Sequence, residues 1–293
     1  MTFKTRLALL LIVLTLLAGL LGVYLIRRNH PPLSFDSSRA YQDLAYQVNL
    51  GPRIPGSAAH LQTANWIVSQ LSQAGWDARV IEGQVNGLTA RNILAKRGSG
   101  PVVMLGVHYD SRRFADQDPD PTLRSNPVPG ANDGASGVAV LLELARSLPI
   151  DLPQETWLVF FDLEDQGGIE GREFIEGSTA FAAQMTTRPS KVIILDMIGD
   201  ANLNIYFEGN SSRTDSDSLW STAASLGYAQ TFIPKNKYNM IDDHTPFLKL
   251  GIPSVNMIDF DYPYWHTTSD NLSHVSAKSL DRVGNTLWTW LQK

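Results

Sequence analysis

The 293-residue sequence contains no cysteine. Disulfide bonds, a thiolate nucleophile and any cysteine-bound zinc or iron–sulfur site are therefore excluded. The chain also lacks three motifs that would indicate a particular chemistry: the His-Glu-x-x-His helix of many metalloproteases, the Gly-x-Ser-x-Gly turn of serine hydrolases and the Gly-Lys-Ser/Thr ending of a phosphate-binding loop. Any metal site in this protein has to be built from histidine and carboxylate side chains.

Basic residues are scarce outside the N-terminus. The chain has 24 Lys and Arg against 29 Asp and Glu, and four of the basic residues lie in residues 1–28, which contain no acid. Without those four, the rest of the chain carries 20 basic residues against 29 acidic ones, a net charge of −9. Non-specific binding to nucleic acid needs a basic surface that neutralises phosphates, so no nucleic-acid partner is expected.

One long apolar run stands at the N-terminus. Residues 7–26 are uncharged and have basic residues on both sides, so the positive-inside rule barely decides their orientation. As a helix, these 20 residues span roughly 30 Å, the thickness of the hydrocarbon core of a bilayer. The run is longer than a signal-peptide core and lacks a convincing cleavage site. We interpret it as an uncleaved membrane anchor, with the rest of the chain outside the cytoplasm, in a periplasmic, extracellular or lumenal space.

The remaining sequence is expected to form one α/β domain. Apolar strands separated by helices predict a mixed, mostly parallel central sheet flanked by helices, to which the N-terminal transmembrane helix is added. The predicted organisation is an anchor (1–28), a linker (29–36) and a single folded domain (37–293). Strands are predicted at Val102–Val107, Trp157–Phe161, Lys191–Leu195 and Ser254–Ile258, and helices at Gly137–Leu148 and Ser276–Leu291.

Chemically active side chains recur at the ends of these strands or at the start of a helix. They are His108, Asp133, Glu164, Asp165, Asp196 and His266. In open α/β sheets ligands bind outside the carboxyl ends of the strands, so these groups are expected to converge. Two imidazoles and several carboxylates are suitable ligands for Zn²⁺. Of the adjacent Glu164 and Asp165, one can bind the metal while the other acts as a general base. Three of the other four histidines, His30, His60 and His274, stand outside any cluster and are expected at the surface.

Together these residues resemble the M28 family of zinc peptidases, and within that superfamily the glutaminyl-peptide cyclotransferase branch. The likeness runs from about Ala40 to the C-terminus. It is carried by His108-Tyr109-Asp110-Ser111, Gly130-Ala131-Asn132-Asp133, Phe161-Asp162-Leu163-Glu164-Asp165, Leu195-Asp196 and His266-Thr267.

The resemblance implies a role for each matching residue. Asp133, Asp165 and His266 match the core zinc ligands. His108 and Asp196 match the positions that hold a second zinc ion in the aminopeptidases. Glu164 matches the general acid/base of the superfamily.

Other segments resemble the cyclases more closely, namely Gly51–Ser57, Asp242–Leu248 and Trp265. The resemblance implies that Asp242 joins Asp196 and the acid/base in a hydrogen-bonded carboxylate set, and that Trp265 packs against the substrate. The sequence also departs from the animal cyclases. Asp165 replaces the usual glutamate, Gln166-Gly167-Gly168 replaces a longer loop with another pocket tryptophan, and Asn132-Asp133-Gly134-Ala135-Ser136-Gly137 is closer to the aminopeptidases.

Two activities therefore remain open. The first is zinc-dependent conversion of the N-terminal glutamine of peptides or proteins to pyroglutamate with release of ammonia, for which one zinc ion suffices. The second is an aminopeptidase with two zinc ions bridged by Asp133. A membrane-tethered binding domain without activity is disfavoured because the ligands and the base are all present.

Overall fold

A mixed six-stranded sheet forms the centre of residues 34–293, the part of the chain that the computed structural model describes. The strands are β1 (Asp77–Val85), β2 (Leu88–Arg97), β3 (Val102–His108), β4 (Glu155–Phe161), β5 (Lys191–Asp196), β6 (Ile205–Glu208), β7 (Phe232–Tyr238) and β8 (Ser254–Ile258). The helices are α1 (Ser37–Leu50), α2 (Ala58–Gln73), α3 (Ala135–Ser147), α4 (Glu176–Gln184), α5 (Arg213–Ser225), α6 (Thr245–Lys249) and α7 (Ala277–Trp290).

The order of strands in the sheet is β1-β2-β4-β3-β5-β8. β3 lies parallel to β4 and to β5, and β5 lies parallel to β8. β2 runs antiparallel to both β1 and β4. β6 and β7 form a separate two-stranded parallel sheet. The carboxyl ends of β3, β4, β5 and β8 therefore meet at one edge, as the sequence predicts.

Helices cover both faces of the central sheet. Alternate residues of β3 belong to two apolar clusters, because successive side chains of a strand point to opposite faces. Val103, Leu105 and Val107 pack with α1, α2, α3, α5 and α7. Val102 and Met104 pack with α4 and α6. This arrangement confirms the predicted α/β domain with a mixed central sheet flanked by helices.

The start of α3 approaches the sheet closely. A Cβ atom on Gly137, in the first turn of α3, would lie 2.8 Å from Cγ1 of Val107 and 2.9 Å from the carbonyl oxygen of Leu195. Only glycine fits at this distance without a shift of the helix or the strands. The close approach places Asp133, just before the helix, beside the ends of β3 and β5.

The predicted membrane anchor, residues 7–26, lies outside the described residues, as does most of the predicted linker. Within residues 34–293, no helix combines the length and the apolar character needed to cross a membrane.

Candidate metal and active site

The carboxyl ends of four strands meet at a cleft with about 410 Å³ of empty space. His108 ends β3, Glu164 and Asp165 follow β4, Asp196 ends β5, and His266 comes eight residues after β8. Each of these five residues except Asp196 is buried. The polar residues lining the cleft are Asp133, Glu164, Asp165, Asp196, Asp242 and His266. The predicted convergence of strand-end residues is therefore observed.

The carboxylate of Asp133 lies between the two site histidines. Its Oδ1 is 3.1 Å from Nε2 of His108, and its Oδ2 is 3.8 Å from Nε2 of His266. Two groups of three side chains bring their ligand atoms within 4.8 Å of one another: His108, Asp133 and Asp196 form one, and Asp133, Asp165 and His266 form the other. Each group can hold a metal ion, and Asp133 belongs to both.

Asp165 provides an independent test of whether a metal fits. Both of its carboxylate oxygens are buried and neither accepts a hydrogen bond, although Nε2 of His266 lies 2.8 Å and Nη1 of Arg112 lies 3.5 Å from Oδ1. A buried carboxylate that accepts no hydrogen bond is costly, and a bound metal ion lowers that cost. The donor set of one imidazole and two carboxylates suits Zn²⁺. The residues of this second group therefore fit a zinc ion.

The electrostatics of the cleft favour proton transfer at Glu164. Burial raises the pKa of Glu164 well above its usual range, and the charges of Asp165, Asp243 and Asp242 raise it further. Burial and the charge of Asp242 raise the pKa of Asp196 to about 7. A carboxyl group with a raised pKa can hold and release a proton near neutral pH, as a general acid/base must.

Two buried aspartates outside the cleft position its residues. Asp110 accepts hydrogen bonds from the backbone N–H groups of Glu164 (3.1 Å) and Asp165 (3.3 Å). Asp270 accepts from the backbone N–H groups of Asn132 (2.8 Å) and Asp133 (3.2 Å). Sequence reasoning placed Asp110 at a strand end but missed Asp270, whose only signal is its position four residues after His266.

Three residues at the site have left-handed backbone conformations although none of them is glycine. Leu163, directly before Glu164, has a φ of 54°, and Met197, directly after Asp196, has a φ of 46°. His266 itself has a φ of 54°. A residue with a Cβ atom adopts this conformation only where the surrounding structure holds it there.

Aromatic rings form the apolar walls of the cleft. Trp265 stacks on His266 with ring centroids 3.7 Å apart and also contacts the edge of Phe260. Phe174, which sequence reasoning missed, is 36% exposed and lies nearly parallel to His266, with ring centroids 6.3 Å apart. A Cβ atom on Gly167 would overlap the Phe174 ring. The absence of a side chain at Gly167 therefore leaves room for the Phe174 ring beside the cleft.

Asp242 lines the cleft with Asp196 and Glu164, and the hydrogen bonds that its carboxylate accepts in this structure come from two other residues. Its Oδ2 accepts from Nδ2 of Asn256 (2.6 Å), and its Oδ1 accepts from the backbone N–H of Asp243 (2.5 Å). Its link to Asp196 in this structure is electrostatic, since the charge of Asp242 raises the pKa of Asp196. Negatively charged carboxylates repel one another unless a proton or a cation lies between them.

Comparison with known proteins decides the family. Residues 92–291 match "Peptidase family M28", a range that contains every residue of the two candidate metal groups. The chain belongs to peptidase family M28. This M28 protein is similar to the crystal structure of the glutaminyl cyclase of Porphyromonas gingivalis, with 33% identity and a TM-score of 0.84 over 89% of this chain and 99% of that one.

Two further relatives of the M28 protein carry different names. A Zn-dependent exopeptidase from Parabacteroides distasonis is 31% identical, with a TM-score of 0.84 over 90% of this chain and 99% of that one. The glutaminyl-peptide cyclotransferase-like protein of Bos taurus is 28% identical over 79% of this chain and 70% of that protein. The fold is thus shared by proteins named as cyclases and by a protein named as an exopeptidase.

The expectation that His60 lies at the surface of the M28 protein is wrong. The side chain is buried, with Nε2 2.8 Å from Oδ1 of Asp162, and its ring stacks on Tyr109. Asp162 also accepts a hydrogen bond from the backbone N–H of Leu163, so the pair supports the turn that carries Glu164. The partner of His60 lies 102 residues away, and nothing local in the sequence indicates the contact. His274 is half-buried against Tyr264, and His30 lies outside the described residues.

Proposed function

We propose that this M28 protein is a zinc-dependent glutaminyl-peptide cyclotransferase. Its substrates would be peptides and proteins with an N-terminal glutamine, which it converts to pyroglutamate with release of ammonia. The observation that carries the proposal is the cleft in which Trp265 and Asp242, two features shared with the cyclases, stand beside Glu164 and a three-ligand metal group. The likeness to a named glutaminyl cyclase over nearly the whole described chain supports it.

In this proposal Asp133, Asp165 and His266 hold one zinc ion. When bound there, zinc supplies Lewis-acid polarisation of the γ-carboxamide of the substrate glutamine. The nucleophile is the α-amine of the same glutamine, so the protein mainly has to orient the two ends of one residue.

Glu164 moves the proton that the cyclisation requires. It takes a proton from the attacking α-amine and delivers it to the departing ammonia, a transfer for which its raised pKa is suited. Asp196 and Asp242 contribute negative charge that raises the proton affinity of the cleft and favours the developing ammonium. Trp265 packs against the substrate and excludes water from one side of the reacting atoms.

The second candidate function is aminopeptidase action. It is favoured by one observation, the additional group of His108, Asp133 and Asp196, which shares Asp133 with the first group and would hold a second metal ion. Glu164 would then take a proton from an attacking water molecule and pass it to the leaving amine. The likeness to a named Zn-dependent exopeptidase supports this alternative.

An ammonia-release assay combined with a zinc count separates the two functions. The full-length protein in detergent is expected to release one ammonia per molecule of a Gln-initiated peptide, and no free amino acid from a Leu-initiated peptide of the same length. Zinc measured on the same sample is expected at one ion per chain. Free leucine, no ammonia and two zinc ions per chain would overturn the cyclase proposal and establish the aminopeptidase.

We further propose that residues 7–26 anchor the protein in a membrane, with the catalytic domain outside the cytoplasm. The length of the apolar run and its basic flanks support this proposal. The chain is then expected to stay in the membrane pellet after washing at high salt and alkaline pH, and a variant that lacks residues 1–28 is expected in the supernatant. Release of the full-length chain by the wash would contradict the anchor.

A further inference from the structure

A further buried carboxylate, Glu208 at the end of β6, does not line the cleft and takes no part in the mechanism above. It is only 4% exposed. Its oxygens accept hydrogen bonds from the backbone and side-chain nitrogens of Asn210 (each 3.0 Å), from Oγ of Ser211 (2.8 Å) and from the backbone N–H of Met240 (2.9 Å). Nε2 of His244 lies 3.3 Å from Oε2.

The number of donors keeps Glu208 ionised. Burial alone would raise its pKa, but the neighbouring imidazole of His244 and the hydrogen bonds from Met240, Asn210 and Ser211 lower the pKa to about 2. A buried carboxylate with this many donors is a strong, directional anchor for the segments that carry them.

Two of these segments flank Asp242. Residues 239–244, which we name the Asp242 loop, have no helix or strand of their own. Met240 lies two residues before Asp242 and His244 two residues after it, and both contact Glu208. Met240 and Ile241 also line the cleft. Glu208 thus contacts the Asp242 loop both before and after Asp242 in the sequence.

A series of hydrogen bonds through Ser211 and Asn256 also connects Glu208 to the Asp242 side chain. Oγ of Ser211, which donates to Glu208, accepts the backbone N–H of Asn256 (2.9 Å). The side chain of Asn256, on β8, donates to Oδ2 of Asp242 (2.6 Å). The backbone of the loop and the orientation of its carboxylate are therefore both tied to the same buried anion.

We propose that Glu208 is a positioning residue that holds the Asp242 loop, so that Asp242 faces the cleft beside Glu164 and Asp196. The kinetic part of this proposal rests on the proposed function, because it needs Asp242 to act in cyclisation. The structural part, that Glu208 holds the loop, does not depend on any activity.

Hydrogen exchange of the full-length protein tests the structural part. In Glu208→Gln, which turns an acceptor-only group into one that also carries donors, the amides of Met240 and Asp243 are expected to exchange at least ~10-fold faster than in the wild type, as for a locally opened segment. The amides of β3 are expected to be unchanged. Glu208→Asp keeps the charge and shortens the side chain. Its Met240 and Asp243 amides are expected to exchange at rates between those of the wild type and those of Glu208→Gln.

Glu143→Gln is the matched control. Glu143 is another fully buried glutamate, but it pairs with Arg39 and Arg146 and does not line the cleft. It is expected to lose stability without faster exchange in the Asp242 loop. Unchanged exchange in Glu208→Gln, or equal acceleration in Glu143→Gln, would overturn the proposal. If Glu208→Gln does not fold, the same comparison is made with Glu208→Asp.

A double-mutant cycle tests whether Glu208 acts through Asp242. Glu208→Gln is expected to lower the kcat of ammonia release about 10-fold in the wild-type background and less than about 2-fold in Asp242→Asn, because residues that act as a unit are not additive. An equal loss in both backgrounds would overturn the link to Asp242. A wild-type protein without ammonia release would refute the proposed function, and the exchange result would still decide whether Glu208 holds the loop.

Discussion

Glu164→Gln is expected to retain zinc and to lose cyclisation activity by roughly 10²-fold or more, the usual scale for a general acid/base. The amide has nearly the shape of the carboxylate, so the cleft keeps its form while the group that accepts and returns the proton is gone. Glu164 belongs to neither candidate metal group, so its loss should leave the ligands in place. The measurements are kcat for ammonia release and zinc per chain on one sample.

Glu170→Gln is the control for the change of charge. Glu170 lies in the loop after Glu164, and its side chain is 68% exposed. The same substitution there removes one negative charge near the cleft without touching a group that lines it. Activity is expected to stay within about 2-fold of the wild type, since surface charges act weakly. Full activity in Glu164→Gln would remove Glu164 from the proposed role.

His266→Ala is expected to lose both zinc and activity, whereas His108→Ala should keep one zinc ion and a measurable rate of cyclisation. His266 belongs to the group that also contains Asp165, whose two buried oxygens accept no hydrogen bond and suit a metal ion. Removing one of three protein ligands leaves two, fewer than catalytic zinc sites use. His108 belongs only to the other group, which a one-zinc cyclase does not need.

His274→Ala serves as the matched control, because His274 stacks on Tyr264 and belongs to neither metal group. It should bind zinc like the wild type, and zinc content by elemental analysis is the readout. Stoichiometric zinc in His266→Ala would contradict the ligand assignment. Loss of all activity in His108→Ala, together with two zinc ions in the wild type, would favour the aminopeptidase.

The site could be predicted from the sequence to the extent that strand ends determine it. Apolar strands are recognisable, and parallel strands bring their carboxyl ends together, so His108, Glu164, Asp165 and Asp196 were placed correctly relative to one another. The absence of cysteine restricted the metal ligands to histidine and carboxylate, and the structure groups those residue types.

The features that the sequence does not predict are a half-exposed strand and contacts between residues that are distant in the sequence. β1 alternates between exposed and partly buried residues and was not predicted, although Asn86-Gly87, both with positive φ, is a strong hairpin signal. Phe174 reaches the cleft only because Gly167 in the preceding loop leaves room for its ring. The burial of His60 depends on a partner from another part of the chain.

The left-handed conformations of Leu163, Met197 and His266 bear on how the stability of this protein can be changed. A strained non-glycine residue costs of order 1 kcal/mol or more, so the fold is less stable than its core alone would allow. Gly at Met197 would relieve that strain, but it would also remove a buried side chain, 1% exposed, from the apolar cluster with Ile258 and Tyr262. Because losing a buried methionine costs about 2–5 kcal/mol, the change is expected to destabilise the fold. The same change would loosen the backbone directly after Asp196, so thermal tolerance and turnover are both expected to fall; the strain at this position is held in place by the burial of the Met197 side chain.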